Sequence, residues 1–143
     1  MKTLRSIFFL SLCLLLSVAG YAGDKASFLK KQFTARDGYQ LNYRVLYPRD
    51  YNPAQKYPVI LFLHGAGERG SDNEAQLIHG GDMFASFENQ TKYPAIIIAP
   101  QCPAEKTWSE YKGLNAGKEG KRFYPLNAPA TQSMAAVEEL LVI

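Results

Sequence analysis

The sequence predicts an α/β fold in which an antiparallel hairpin leads into a parallel sheet with flanking helices. Three observations predict it. Val59 to Leu63 is an unbroken apolar run, too short for a helix and rich in strand formers, as a parallel strand covered on both faces reads. Ala95 to Ala99 is a second run of the same kind, closed by Pro100. Ahead of both, Tyr39, Leu41, Tyr43, Val45 and Tyr47 alternate with Gln40, Asn42 and Arg44. That period of two fits an antiparallel strand with one wet face.

Taken in order, the elements begin with a segment to be set aside. Met1-Lys-Thr-Leu-Arg5 is a short cationic stretch, and Ile7 to Val18 is an apolar core too short to span a bilayer. Small residues at Ser17-Val-Ala19 or Gly20-Tyr-Ala22 supply cleavage positions, so residues 1–22 read as a secretory signal peptide and residues 23–143 as one partial domain. The protein is therefore expected to be secreted or periplasmic after cleavage near Ala22, without a stable membrane anchor. Cys13 follows Leu12 rather than the small residue of a lipoprotein site.

Gln32 to Ala35 is expected as a short strand, and Asp37-Gly38 as the tight turn into the alternating strand. Pro48 to Lys56 is a turn-rich connection. A helix is expected within Glu74 to Phe87, broken by Gly80-Gly81, and a long loop from Gln101 to Pro129. The chain closes on a helix with Met134, Val137, Leu140 and Leu141 on one face and Glu138 and Glu139 outside.

The most informative turn is His64-Gly65-Ala66-Gly67-Glu68-Arg69-Gly70, directly after the first apolar run. Small residues there let the backbone turn sharply with its N–H groups uncovered, and ligands of open α/β sheets lie at such carboxyl ends. Gly65 to Gly70 fits the letters G-x-G-x-x-G of a dinucleotide loop. That reading needs a helix at once and an acidic residue about 20 positions on at a strand end; Ser71-Asp-Asn-Glu74 follows instead, and Glu88 lies in a stretch that is not strand-like. A P-loop is excluded, because Ser71 stands where its Lys is needed and Asp72 where Ser or Thr belongs. The remaining readings are an oxyanion loop of the H-G-x-G type, as after the third strand of α/β-hydrolases, and a merely structural glycine turn.

Tyr57-Pro-Val-Ile-Leu-Phe-Leu-His-Gly-Ala-Gly-Glu-Arg-Gly-Ser-Asp-Asn73 resembles the start of a secreted carboxylesterase of the α/β-hydrolase superfamily. The relevant group holds polyhydroxybutyrate depolymerases, phospholipase/carboxylesterases and predicted peptidases. Ile96-Ile-Ile-Ala-Pro-Gln-Cys-Pro103, with Trp108 just after, resembles the next strand and loop of the same group. The likeness spans roughly Phe33 to Val142 and is to the family's N-terminal half only.

The resemblance implies that a strand ending in the G-x-S-x-G nucleophile elbow should come next. None of Ser27, Ser71, Ser86, Ser109 and Ser133 sits in that motif on a strand-to-helix turn. Thr131-Gln-Ser133-Met-Ala135 has a passing likeness but reads as helix surface. His64 and His79 cannot be the triad base, since that histidine follows its serine in these folds. The expectation is a fold truncated before the elbow, with the Ser-Asp-His triad outside this chain. The resemblance implies an oxyanion donor from this loop at Ala66, with Gly67 next to it, and a second donor after the absent serine. His64 is expected at the substrate cleft, chiefly fixing the loop; Trp108, in the loop after a strand's carboxyl end, either lines that cleft or caps the core, and the substrate would be a small-molecule or polymeric ester. An exported nucleotide-binding domain using Gly65 to Gly70, or a non-catalytic binding fragment, stays open as the alternative.

Charge and composition add limits. The formal net charge is +3, from 16 basic and 13 acidic residues; losing Lys2 and Arg5 with the leader leaves 14 basic residues and a nearly neutral surface. Lys112, Lys118, Lys121 and Arg122 form a small basic cluster spaced by Gly and Asn, read as a solvated loop, so no nucleic-acid partner is expected. Cys102 would be the only cysteine left after cleavage, which excludes an intrachain disulfide. No cluster of His, Cys, Asp and Glu has metal-ligand spacing, and neither metal nor cofactor is expected.

Overall fold

The structure, a computed structural model, describes residues 24–110, 112–113, 122–123 and 125–142. The leader at residues 1–22, and Lys118 and Lys121 of the basic cluster, lie outside the described residues. Among the described residues no helix is long and apolar enough to cross a membrane.

Strands β1 (Leu29–Thr34) and β2 (Gln40–Leu46) pair antiparallel, Leu29 opposite Val45 and Thr34 opposite Gln40. The turn between them closes with Ala35 N–H on Tyr39 O (2.8 Å) and Gly38 N–H on Ala35 O (2.8 Å). Gly38 has φ +85°, the left-handed conformation that a side chain disfavours, so glycine is needed there. Ala35, expected in the strand, belongs to this turn.

Strands β3 (Val59–Leu61) and β4 (Ile96–Pro100) pair in parallel, Val59 opposite Ile96 and Leu61 opposite Ile98. β4 also pairs antiparallel with β2, so the sheet order is β1-β2-β4-β3. The connection between β3 and β4 carries a one-turn 3₁₀ segment at Ala75–Leu77, then helices α1 (Gly81–Ala85) and α2 (Phe87–Lys92). The break expected at Gly80-Gly81 is a left-handed Gly80, φ +95°. The long loop after β4 contains two short paired strands, β5 (Lys112–Gly113) and β6 (Arg122–Phe123), before α3 (Gln132–Leu141).

Two clusters make the core, one on each face of the sheet. Phe28, Leu46, Leu77, Ala95, Ile97 and Ala99 pack with Phe62 and Phe84 under α1. Ala35, Leu41, Ala136 and Val137 pack with Phe33, Trp108 and Leu140 under α3.

Four expectations are corrected. The wet face of β2 ends before Arg44: Gln40 is exposed and Asn42 half-buried, but Arg44 is buried, donating to Phe28 O (2.6 Å) and Asn73 O (2.6 Å) and pairing with Glu74. A guanidinium tolerates that burial because its fixed fork of donors is met on several sides. Val59 and Ile60 are 53% and 39% exposed rather than covered, because β3 is an edge strand of the described sheet. Ser133 is buried, not on the helix surface; its hydroxyl lies 2.9 Å from Tyr39 OH and 3.8 Å from Cys102 Sγ. Leu141, expected on the apolar face of α3, turns outward, while Glu139 at the surface accepts from the backbone N–H (3.0 Å) and Nε (3.2 Å) of Arg36.

Candidate active site

The last sheet bond of the strand β3 runs from Phe62 N–H to Ile98 O (2.9 Å), and the chain then leaves the sheet edge at His64. His64 is buried. Its Nε2 accepts from Cys102 N–H (3.0 Å), so Nδ1 carries the proton and donates to Gly65 O (2.6 Å). The ring is thereby committed to backbone on both sides, tying the turn to the residues that follow β4. Trp108 braces the same point: its Nε1–H donates to His64 O (3.1 Å), and its ring meets the imidazole edge-on at 5.3 Å. Thr131 Oγ1 donates to Trp108 O (3.1 Å), which links the turn to the start of α3.

From Gly65 the chain enters a single 3₁₀ turn, Ala66–Glu68. Both carbonyls at its head are occupied: Gly65 O by His64 Nδ1–H and by Glu68 N–H (3.4 Å), Ala66 O by Arg69 Nε–H (3.0 Å). The N–H groups of Ala66 and Gly67 are the opposite. Both residues are exposed, and among the described residues neither N–H donates to any acceptor. The first N–H groups of a helical turn have no partner within it, and here nothing else in the fold has taken them.

The stretch after the turn is held just as firmly. Gly70 N–H donates to Cys102 O (2.9 Å), and a Cβ at Gly70 would stand 3.3 Å from Gln101 Nε2. Buried Gln101 accepts from Asn73 N–H (2.7 Å) and donates to Asp72 Oδ1 (2.7 Å) and Glu68 O (3.3 Å). Asp72 Oδ1 also accepts from the N–H groups of Ala75 (3.0 Å) and Glu74 (2.8 Å); these bonds, with that from Gln101, hold its carboxyl below the ordinary range. Asn73 sits at φ +54°, where asparagine is among the tolerated residues.

The structure thus brings His64, Ala66, Gly67 and Trp108 together around one turn. It also gives parts to residues that the sequence did not single out as site residues. Gln101 and Thr131 act on the turn only because β4 and α3 lie beside it. Cys102 is free and buried, and loss of hydration pushes its thiol up. His79 lies at the exposed rim, its Nε2 3.4 Å from Glu68 Oε1. Among the described residues neither histidine ring faces a serine hydroxyl, and no group of three or more His, Cys, Asp or Glu could hold a metal ion.

No protein-family model and no curated protein matches the sequence. Among solved structures, the chain is similar to a thermostable esterase, with 32% identity and a TM-score of 0.64 over 82% of this chain. It spans 30% of that esterase's length. It is also similar to a CE1 ferulic acid esterase from the anaerobic fungus Anaeromyces mucronatus, solved without substrate. That match has 22% identity and a TM-score of 0.42, covers 62% of this chain and 34% of the other, and is too loose to carry any argument. The mixed sheet, its parallel β3–β4 pair and the thermostable esterase together make this chain a relative of the α/β-hydrolase esterases that carries part of their fold.

Proposed function

We propose that this chain is the N-terminal part of a secreted serine hydrolase acting on carboxylic esters, and that it supplies the oxyanion turn while the nucleophile and its triad partners lie in sequence beyond it. The observation that carries the reading is the pair of N–H groups at Ala66 and Gly67 that donate to no acceptor among the described residues, on a turn whose leading carbonyls, Gly65 O and Ala66 O, are engaged. In ester hydrolysis the carbonyl oxygen becomes an anion in the tetrahedral intermediate. A donor fixed in advance toward that position stabilises the transition state more than the ground state. His64, Trp108 and Arg69 serve by holding the turn. Small side chains at Gly65, Ala66 and Gly67 let a substrate approach the backbone. A nucleotide at Gly65 to Gly70 is disfavoured, since Gly70 N–H is already used by Cys102 O and a one-turn segment, not a helix, follows Gly65.

Incubation of the purified chain with p-nitrophenyl acetate and a fluorophosphonate probe is expected to give neither turnover nor labelling. Labelling that disappears in Ser133→Ala would place a nucleophile in α3 and overturn the proposal. In a version extended through a G-x-S-x-G strand, Ala66→Pro removes one donor and is expected to lower kcat by roughly 100-fold or more. Gly65, with ψ near 180°, already has the extended conformation required before proline, so the substitution tests the N–H rather than the fold. An unchanged kcat would refute the assignment.

A further inference from the structure

Glu68 closes the 3₁₀ turn, and its side chain folds back over it. Only 14% of that side chain is exposed, and Oε2 stands 3.0 Å from where a Cβ on Gly65 would be. The carboxylate therefore lies against the same turn that carries the free Ala66 and Gly67 N–H groups. Its charge is poorly answered by the protein. Arg69, the adjacent cation, is turned away, with Nε on Ala66 O and Nη1 on Lys106 O (both 3.0 Å). The remaining partner is His79 on Oε1 at 3.4 Å, a side chain 78% exposed that is charged only when protonated. Among the described residues Oε2 has no hydrogen-bond partner.

A carboxylate beside an oxyanion site raises the energy of the anion formed there unless a positive charge stands between them. We infer that the substrate brings that charge: Glu68 is a specificity residue that receives an ammonium group carried on the acyl part, next to the carbonyl held by Ala66 and Gly67. The substrate class is an α-amino acyl compound, whether an aminoacyl ester or the free amino end of a peptide. The exposed His79 side chain lies on Oε1 when no substrate is bound and is displaced by it. The inference rests on the oxyanion reading of the turn, since without a carbonyl bound there the ammonium has no reason to arrive.

The test is a titration of the full chain, followed by the amide resonances of Ala66 and Gly67, with alanine methyl ester and with N-acetylalanine methyl ester near neutral pH. Both esters are expected to move the two resonances, with the free amine binding at least about five-fold more tightly. Glu68→Gln, nearly the same size, is expected to erase that preference while leaving the N-acetyl ester's binding in place. His79→Ala alters an exposed side chain and is expected to keep or increase the preference, because a side chain competing for the carboxylate is gone. Equal binding of the two esters to the unaltered chain would overturn the subsite and leave the oxyanion turn standing. So would a preference that survives in Glu68→Gln or vanishes in His79→Ala. If neither ester moves Ala66 or Gly67, the turn and the subsite fall together.

Discussion

Asp72 shows how a single carboxylate can fasten a turn to a neighbouring strand. One oxygen receives the N–H groups of Ala75 and Glu74 and the amide of Gln101, so it starts one segment and fastens it to the end of β4. All three bonds favour the charged form, and the carboxyl is lowered from its ordinary value of 3.8. A group lowered by folding contributes stability that is full above its unfolded value and is lost as the pH falls through its folded value. Urea midpoints measured from about pH 5 to about pH 2.5 should therefore fall more steeply in the native chain than in Asp72→Asn, which keeps an acceptor oxygen but cannot titrate. Asp37 and Glu74 are lowered too and contribute equally to both chains, so the difference isolates Asp72. Equal acid limbs would mean that these bonds do not favour the charged form. The two separate stretches that carry the family likeness also meet in the fold. Gly65 to Asn73 and Ile96 to Pro103 are one hydrogen-bonded unit, with His64 held by Cys102 and Asp72 held by Gln101. The sequence showed the two stretches, but a buried glutamine has no periodicity or charge pattern to announce it.

At the scale of elements, α3 shows both what patterning reveals and where it stops. Its existence was legible from apolar spacing, and Val137 does face the core. Its first turn carries more than its last. Thr131 caps the helix by accepting from Met134 N–H (3.2 Å) and, with its own proton, reaches Trp108 O (3.1 Å). Thr131→Ala should cost about 1 kcal/mol for the cap, and somewhat more for the bond to Trp108. Thr131→Ser should recover most of it. Denaturation followed by the emission of Trp108, the sole tryptophan, reads both quantities. A loss below about 0.3 kcal/mol, under the usual range for a cap, would show that water replaces the hydroxyl at no cost. The hairpin was equally legible, because an Asp-Gly turn and a period of two leave few alternatives. Arg44 was not, since alternation assigns it to one face of β2 without saying that Phe28, Asn73 and Glu74 will close over that face. A run such as Val59–Leu63 indicates burial only on the assumption that neighbours exist on both sides, and in the described sheet β3 has one.

At the scale of the whole molecule, the described residues leave an open flank. Val59 and Ile60 lie on the outer edge of β3, and beside them a groove of about 570 Å³ runs between the sheet and α3, lined by Val45, Val59, Leu61, Ile98, Leu140 and Leu141. Unpaired N–H and C=O groups on an apolar edge with no charge or proline in the run are a template for another strand. If the proposed function holds, the strand bearing the nucleophile takes that place in the complete protein, and further helices cover the groove. Without them, each large apolar side chain left in water forgoes roughly 1.5–3 kcal/mol, against a total domain stability of about 5–15 kcal/mol. Residues 23–143 expressed alone are therefore expected to self-associate and to melt broadly. Val59→Lys places a charge on the open edge and beside the groove, and should shift the size-exclusion profile toward monomer, because a strand edge bearing lysine pairs poorly. The substitution reaches no residue of the Ala66–Gly67 turn, so the amide resonances there should survive it. A native chain that runs as a monodisperse monomer and melts in one cooperative step above about 50 °C, within the usual range for small domains, would mean that the edge and groove are satisfied within this chain and that no further strand is required.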